Sequence, residues 1–264
     1  MTGRLRDLVA AEWIKLWSLR STRWVIGLGV LVMIGISVQR AVDSYNAWPS
    51  FTPMEKAHFD PMTLALNGFG AVLLVIGAGS LGALAVVGEY ASGLIRTTLI
   101  AVPARHRVVA AKVVVVAGVM LTVGALVAVA TFEVSQAIMA GRGMGLSLGD
   151  PGVPRVIAAN ALLAPVSALV GMGLGALLRH TAGTVVAVCA LLVVLPMSFK
   201  PNVHQWVNDL YGLFPFYVWR TCLSLTDPRD SPALPTVTGS WLVFALWPLA
   251  AALIALLAVR HRDV

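Results

Sequence analysis

Six runs of this chain are too long and too apolar to belong to a soluble domain, and they decide most of what it can fold into. They lie at about 24–42, 62–87, 108–132, 155–178, 181–199 and 237–259. In hydrocarbon every backbone N–H and C=O must be satisfied within the chain, and a run of about 20 apolar residues achieves that as a helix. The sequence therefore predicts an all-α, polytopic membrane protein with six transmembrane helices in a single domain over residues 1–264. Composition agrees, since only 12% of residues are charged and mean hydropathy is +0.85, against about a quarter charged in soluble domains.

The formal charge of +7 does not point to nucleic acid, because the basic residues sit at the ends of apolar runs and not on an aromatic-laced face. Membrane lipid headgroups and topology account for them. With both termini inside, the inner segments hold twelve of the nineteen Lys and Arg residues in short connections, and the outer seven are spread over longer loops. The positive-inside rule then places both termini in the cytosol of a multi-pass cell-membrane protein. Cys189 and Cys222 stand apart with no metal-ligand spacing. The first apolar run begins about 23 residues in and has no small-residue cleavage site after it, so it reads as a retained span.

Residues 1–23 place Leu5, Leu8, Val9, Trp13, Leu16 and Trp17 at helical spacing, while Arg6, Asp7, Glu12 and Lys15 fall elsewhere. This predicts an amphipathic helix on the cytosolic surface, with Trp13, Lys15 and Trp17 at headgroup depth. The first span looks the shortest, and 39–61 reads as a loop because it is polar and carries Pro49, Pro53 and Pro61. In the fourth span Ser167, Gly171 and Gly175 recur every fourth position, a helix-packing stripe suited to a second copy of the chain or to a neighbour within it. Residues 200–236 are rich in proline and aromatics, which suits short helices dipping into the outer interface.

Residues 88–107 connect the second and third runs and carry more than a turn requires. If 89–99 is a surface helix, Glu89 and Arg96 share a face, Tyr90 adds an aromatic anchor, and Pro103 ends the helix before Arg105 and Arg107. The spaced pattern Glu89-Tyr90, Gly93, Arg96-Thr97, Leu99, Pro103, Arg105 and Lys112 resembles the cytosolic segment between spans two and three of type-2 ABC exporter permeases. The wording around Glu12 to Ser21 is similar to that family's N-terminal elbow helix.

The resemblance implies that Glu89, Tyr90, Gly93, Arg96 and Arg105 form a coupling contact for a separate ATP-binding cassette subunit. It implies further that ATP and Mg are bound there and not in this chain, and that a second permease subunit, the same or related, completes the transporter. It also implies re-entrant helices before the last span and an exported amphiphilic or lipid-like substrate. No lysine of this chain lies in a P-loop, so it does not hydrolyse nucleotide itself. The competing classes are a polytopic membrane enzyme and a secondary transporter. The first needs a nucleophile with its base, paired carboxylates or gathered metal ligands, whereas the five histidines are scattered over the connecting segments and tail. The second usually needs ionisable residues inside the spans, where only Asn67, Asn160 and a few hydroxyls are found.

Overall fold

The computed structural model describes residues 5–91, 105–198, 204–228 and 234–261. The regular elements among them are helices, and no strand occurs. A first helix, Leu5–Ser18, precedes six helices long and apolar enough to cross a membrane. These are Arg20–Ala47, Gly68–Ala91, Arg105–Ala140, Val153–Leu178, Thr181–Ser198 and Val237–His261, referred to below as spans 1 to 6. The chain is a multi-pass helical membrane protein.

Span 4 is the centre of the bundle, packing on spans 2, 3 and 6, with 72% of its most apolar stretch buried against 17% for span 1. Small residues explain how it gets there. A Cβ on Gly171 would lie 1.9 Å from the Gly79 carbonyl oxygen, and one on Gly82 would lie 1.8 Å from the Ala168 carbonyl oxygen, so spans 2 and 4 meet backbone to backbone. Gly175 faces Ala83 and Val87 in the same seam, and Ser167 is buried with its hydroxyl donating to the Leu163 carbonyl at 2.8 Å. The Ser167, Gly171 and Gly175 stripe is thus occupied by span 2 of the same chain and offers no face to a second copy. Pro165 removes the N–H that would serve the Ala161 carbonyl. Gly124 of span 3 presses against that carbonyl, its built Cβ only 2.1 Å away.

Several boundaries differ from the sequence reading. Span 1 runs 28 residues to Ala47, because the polar residues after Val42 continue the helix instead of opening a loop. Span 3 extends to Ala140, beyond the expected end at 132. Residues 62–67 lie before span 2, in and after a 3-10 turn, Pro61–Leu64, whose start is capped by Asp60 accepting from the Met62 N–H at 2.9 Å. Glu89 and Tyr90 belong to the last turn of span 2 itself.

Between spans 5 and 6 the short helices Gln205–Tyr211 and Pro215–Val218 are followed by a π-helical turn, Trp219–Leu223. Tyr211, Phe216, Tyr217 and Trp219 turn inward, whereas Trp206 is exposed. Trp219 is 1% exposed, stacks on Phe216 and donates its indole N–H to Asn160 Oδ1 of span 4 at 2.9 Å, which satisfies two polar groups inside the bundle.

Glu89, Lys112, Met172 and Val259 line one small cavity. The end of span 2, the start of span 3 and the last turns of spans 4 and 6 therefore meet at one end, where the first helix also packs on span 3. This is the terminal end of the bundle; the opposite one is the distal end.

Candidate functional site: an ion cluster at the terminal end

Four charged side chains from three helices meet at the terminal end. Glu12 and Lys15 lie three residues apart on the first helix and so share a face, Glu89 comes from the last turn of span 2, and Lys112 from the second turn of span 3. Lys15 Nζ donates to Glu12 Oε1 at 2.7 Å and to Glu89 Oε1 at 3.0 Å. Lys112 Nζ donates to Glu89 Oε1 at 2.9 Å and also to Glu12 Oε2. Each carboxylate is bridged by both ammonium groups, so charges of opposite sign alternate around a closed ring.

Burial makes the pairing necessary. Glu12 is 5% and Lys112 6% exposed, and a lone charge at such depth near hydrocarbon costs about 3 kcal/mol or more. Desolvation offsets much of the attraction, so the ring adds little net stability compared with an apolar contact, whereas removal of one member leaves an uncompensated charge. Lys15 is the exposed corner, its side chain 40% accessible. Burial acts to lower its pKa, but the hydrogen bonds and charges of Glu12 and Glu89 outweigh that and hold it above the ordinary lysine value.

Beside the ring, Tyr90 packs on the apolar core, and the guanidinium of Arg179 lies 4.6 Å from its ring centroid. Arg179 closes span 4 in a left-handed conformation, φ 53°, and only His180 separates it from span 5. The Tyr90 hydroxyl, Arg179 Nε and Nη2, and Trp17 Nε1 are buried without a hydrogen-bond partner among the described residues.

The structure rearranges the roles expected from the sequence. The Glu89 carboxylate is in the ring, 13% accessible, and Arg96, with which the sequence reading grouped it, falls beyond what the structure describes. Tyr90 is partly buried against the bundle and not presented as an exposed anchor. Gly93 and Arg96 lie outside the described residues, and Arg105 is the first residue of the span 3 helix. On the first helix Trp13 is 50% exposed and sits 5.7 Å from the half-buried Trp17, while Lys15 has turned toward the bundle.

Sequence reasoning assigned Glu12 to the polar side of a surface helix and missed both its burial and its pairing with Lys112. The available signal was Lys112 itself, a charge standing alone near the start of an apolar run, which requires a carboxylate from elsewhere. Among the described residues no three His, Cys, Asp or Glu side chains gather as a metal site would require. The geometry defines a charged joint between helices at the edge of a membrane bundle. No protein-family model matches the chain, and no curated protein matches it either.

Proposed function

We propose that this chain is the membrane-spanning permease subunit of an ABC transporter, exporting an amphiphilic or lipid-like substrate with ATP hydrolysed on a separate subunit that binds ATP and Mg. The observation that supports it best is the setting of the Glu89 to Lys112 pattern. This stretch joins spans 2 and 3, and the residues at its two ends are ion-paired to each other and to the first helix. A force applied between them would reach three helices together. In this reading residues 92–104, with Gly93, Arg96 and the adjoining Arg105, meet the ATPase in the cytosol, and Glu89 passes the motion inward. The first helix is an elbow on the cytosolic face of the cell membrane, residues 200–236 form the outer re-entrant segment, and a second permease subunit completes the pathway.

The test is gentle purification of the native complex, with expected recovery of a subunit carrying G-x-x-x-x-G-K-[ST] and of ATP hydrolysis. The runner-up is a secondary transporter, favoured by one observation: a buried and a partly buried carboxylate, Glu12 and Glu89, at the membrane edge. A preparation free of ATPase whose transport follows the proton gradient, and loses that dependence in Glu89→Gln, would overturn the first reading for the second.

A further inference from the structure

An apolar groove runs between spans 1 and 2, beside the terminal-side half of span 1 and the middle of spans 2 and 3. Ile26, Gly29 and Val30 form one wall, Gly77 and Leu81 the other, and Val123 of span 3 the floor; no lining residue is polar. It follows span 1 from Val25 to Met33, about 12 Å along the axis, close to the roughly 15 Å depth of one hydrocarbon leaflet. Two glycines keep it open. A Cβ on Gly29 or Gly77 would meet nothing within 4 Å, whereas Gly79 and Gly82, further along span 2, are closed by Val188 and Ala168. Water has no polar partner in such a groove, and Val25 at its edge is 50% exposed, so hydrocarbon from the bilayer can enter.

A cation stands at the groove's terminal-side mouth. Arg23 lies three and seven residues before Ile26 and Val30 and so on the same helix face. Its Nε and Nη2 both donate to the Trp17 carbonyl, at 2.8 and 2.5 Å, which fixes the guanidinium where the first helix turns into span 1 and leaves Nη1 outward. Arg23 is exposed, and among the described residues it has no carboxylate in ion-pair range. The remaining N–H groups suit a phosphate oxygen.

We propose that the groove binds one acyl chain of a phospholipid from the terminal-side leaflet, with the lipid phosphate held by Arg23. The apolar length supplies affinity for the chain, and the arginine selects a phospholipid over an uncharged lipid. The proposal does not rest on the transport reading.

The test uses the full chain in nanodiscs with a phospholipid bearing a diazirine midway along one acyl chain, adducts being mapped by mass spectrometry. Adducts are expected to concentrate on residues 25–33 and 73–81 over the exposed face of span 6 at Leu242, Leu246 and Leu249. Gly77→Leu or Gly29→Leu, each filling open space, should lower groove labelling about fivefold or more. Gly27→Leu, equally open but outside the groove, should leave it unchanged. Arg23→Ala should reduce labelling by the phospholipid but not by a diacylglycerol carrying the same reactive chain. Labelling as strong on span 6 as in the groove, or indifferent to both groove leucines in variants that elute and melt like the parent, would overturn the acyl site. Equal phospholipid labelling with and without Arg23 would overturn the phosphate contact.

Discussion

The two ends of the bundle are joined by different chemistry. At the terminal end helices are linked side chain to side chain, among the described residues by three ion pairs between residues up to 100 positions apart. At the distal end side chains mostly hold backbone. Ser37 donates to the carbonyls of Leu64 and Thr131 at 3.0 and 3.1 Å, and Gln136 donates to the Pro61 carbonyl and accepts from the Leu146 N–H. Arg155 donates to the carbonyls of Leu225 and Thr226 at 2.7 and 2.9 Å, while Asp60 accepts from the Thr226 N–H and hydroxyl.

Backbone-directed bonds fix a loop in one conformation. Ion pairs between side chains tolerate small displacements and can exchange partners, so the terminal end is built as a joint and the distal end as a clasp. That contrast can be broken at four depths.

The largest effect lies between the two ends. Gly171→Leu drives a side chain into the Gly79 carbonyl and should cost about 4 kcal/mol or more, beyond ordinary overpacking. Loss of the folded monomer in detergent, seen by gel filtration, is expected. A well-folded protein altered only in self-association would return the stripe to a subunit interface.

Lys112→Met comes next. It takes from Glu12 and Glu89 the buried ammonium group they share, at a cost of about 3–5 kcal/mol. Limited proteolysis should release the first helix while the spans stay protected, and exchanging the pair, Glu12→Lys with Lys112→Glu, should recover part of the loss. Equal damage from the exchange and the single change would mean that shape and not charge holds the joint.

At the distal end Asp60→Asn should cost about 1–3 kcal/mol, the range for losing charged hydrogen bonds to a partly buried segment. Faster hydrogen exchange at Thr226 without change at the first helix would keep the two ends independent. Coupled loosening at both ends would merge them.

The smallest effect belongs to Lys15→Met, under about 1 kcal/mol for a side chain 40% accessible. Its pKa is raised in the folded protein, so its contribution is fully present below the ordinary lysine value of 10.5 and is lost as pH climbs through the higher folded value. Melting of parent and variant should differ by a constant amount at neutral pH and converge in strong alkali. A difference that vanishes below pH 9 would contradict the pairing.

The six spans were legible because hydrophobic length is a local property of a sequence. Their ends were less so. Span 1 continues through Asp43 and Tyr45 to Ala47, and polarity alone could not distinguish a helix leaving the bilayer from a loop. Tyr45 there receives the guanidinium of Arg142, 4.3 Å from its ring centroid, a contact 97 positions away in the chain.

The site shows the same limit. Glu89 stood out in the sequence, yet periodicity supplies only neighbours within one helix and so offered Arg96. Among the described residues Glu89 pairs with Lys112 and Lys15, 23 and 74 positions away. They are fixed by which helix ends meet, and that depends on the glycine contacts of span 4. Those glycines were readable as a packing stripe but not as belonging to one chain.

The ring of Glu12, Lys15, Glu89 and Lys112 also has an electrical consequence. A membrane potential does about 2.3 kcal/mol of work per 100 mV on each elementary charge carried fully across, but two carboxylates and two ammonium groups moving together sum to zero. A displacement of these four groups as a unit therefore carries no net charge through the field, and on them voltage does no work.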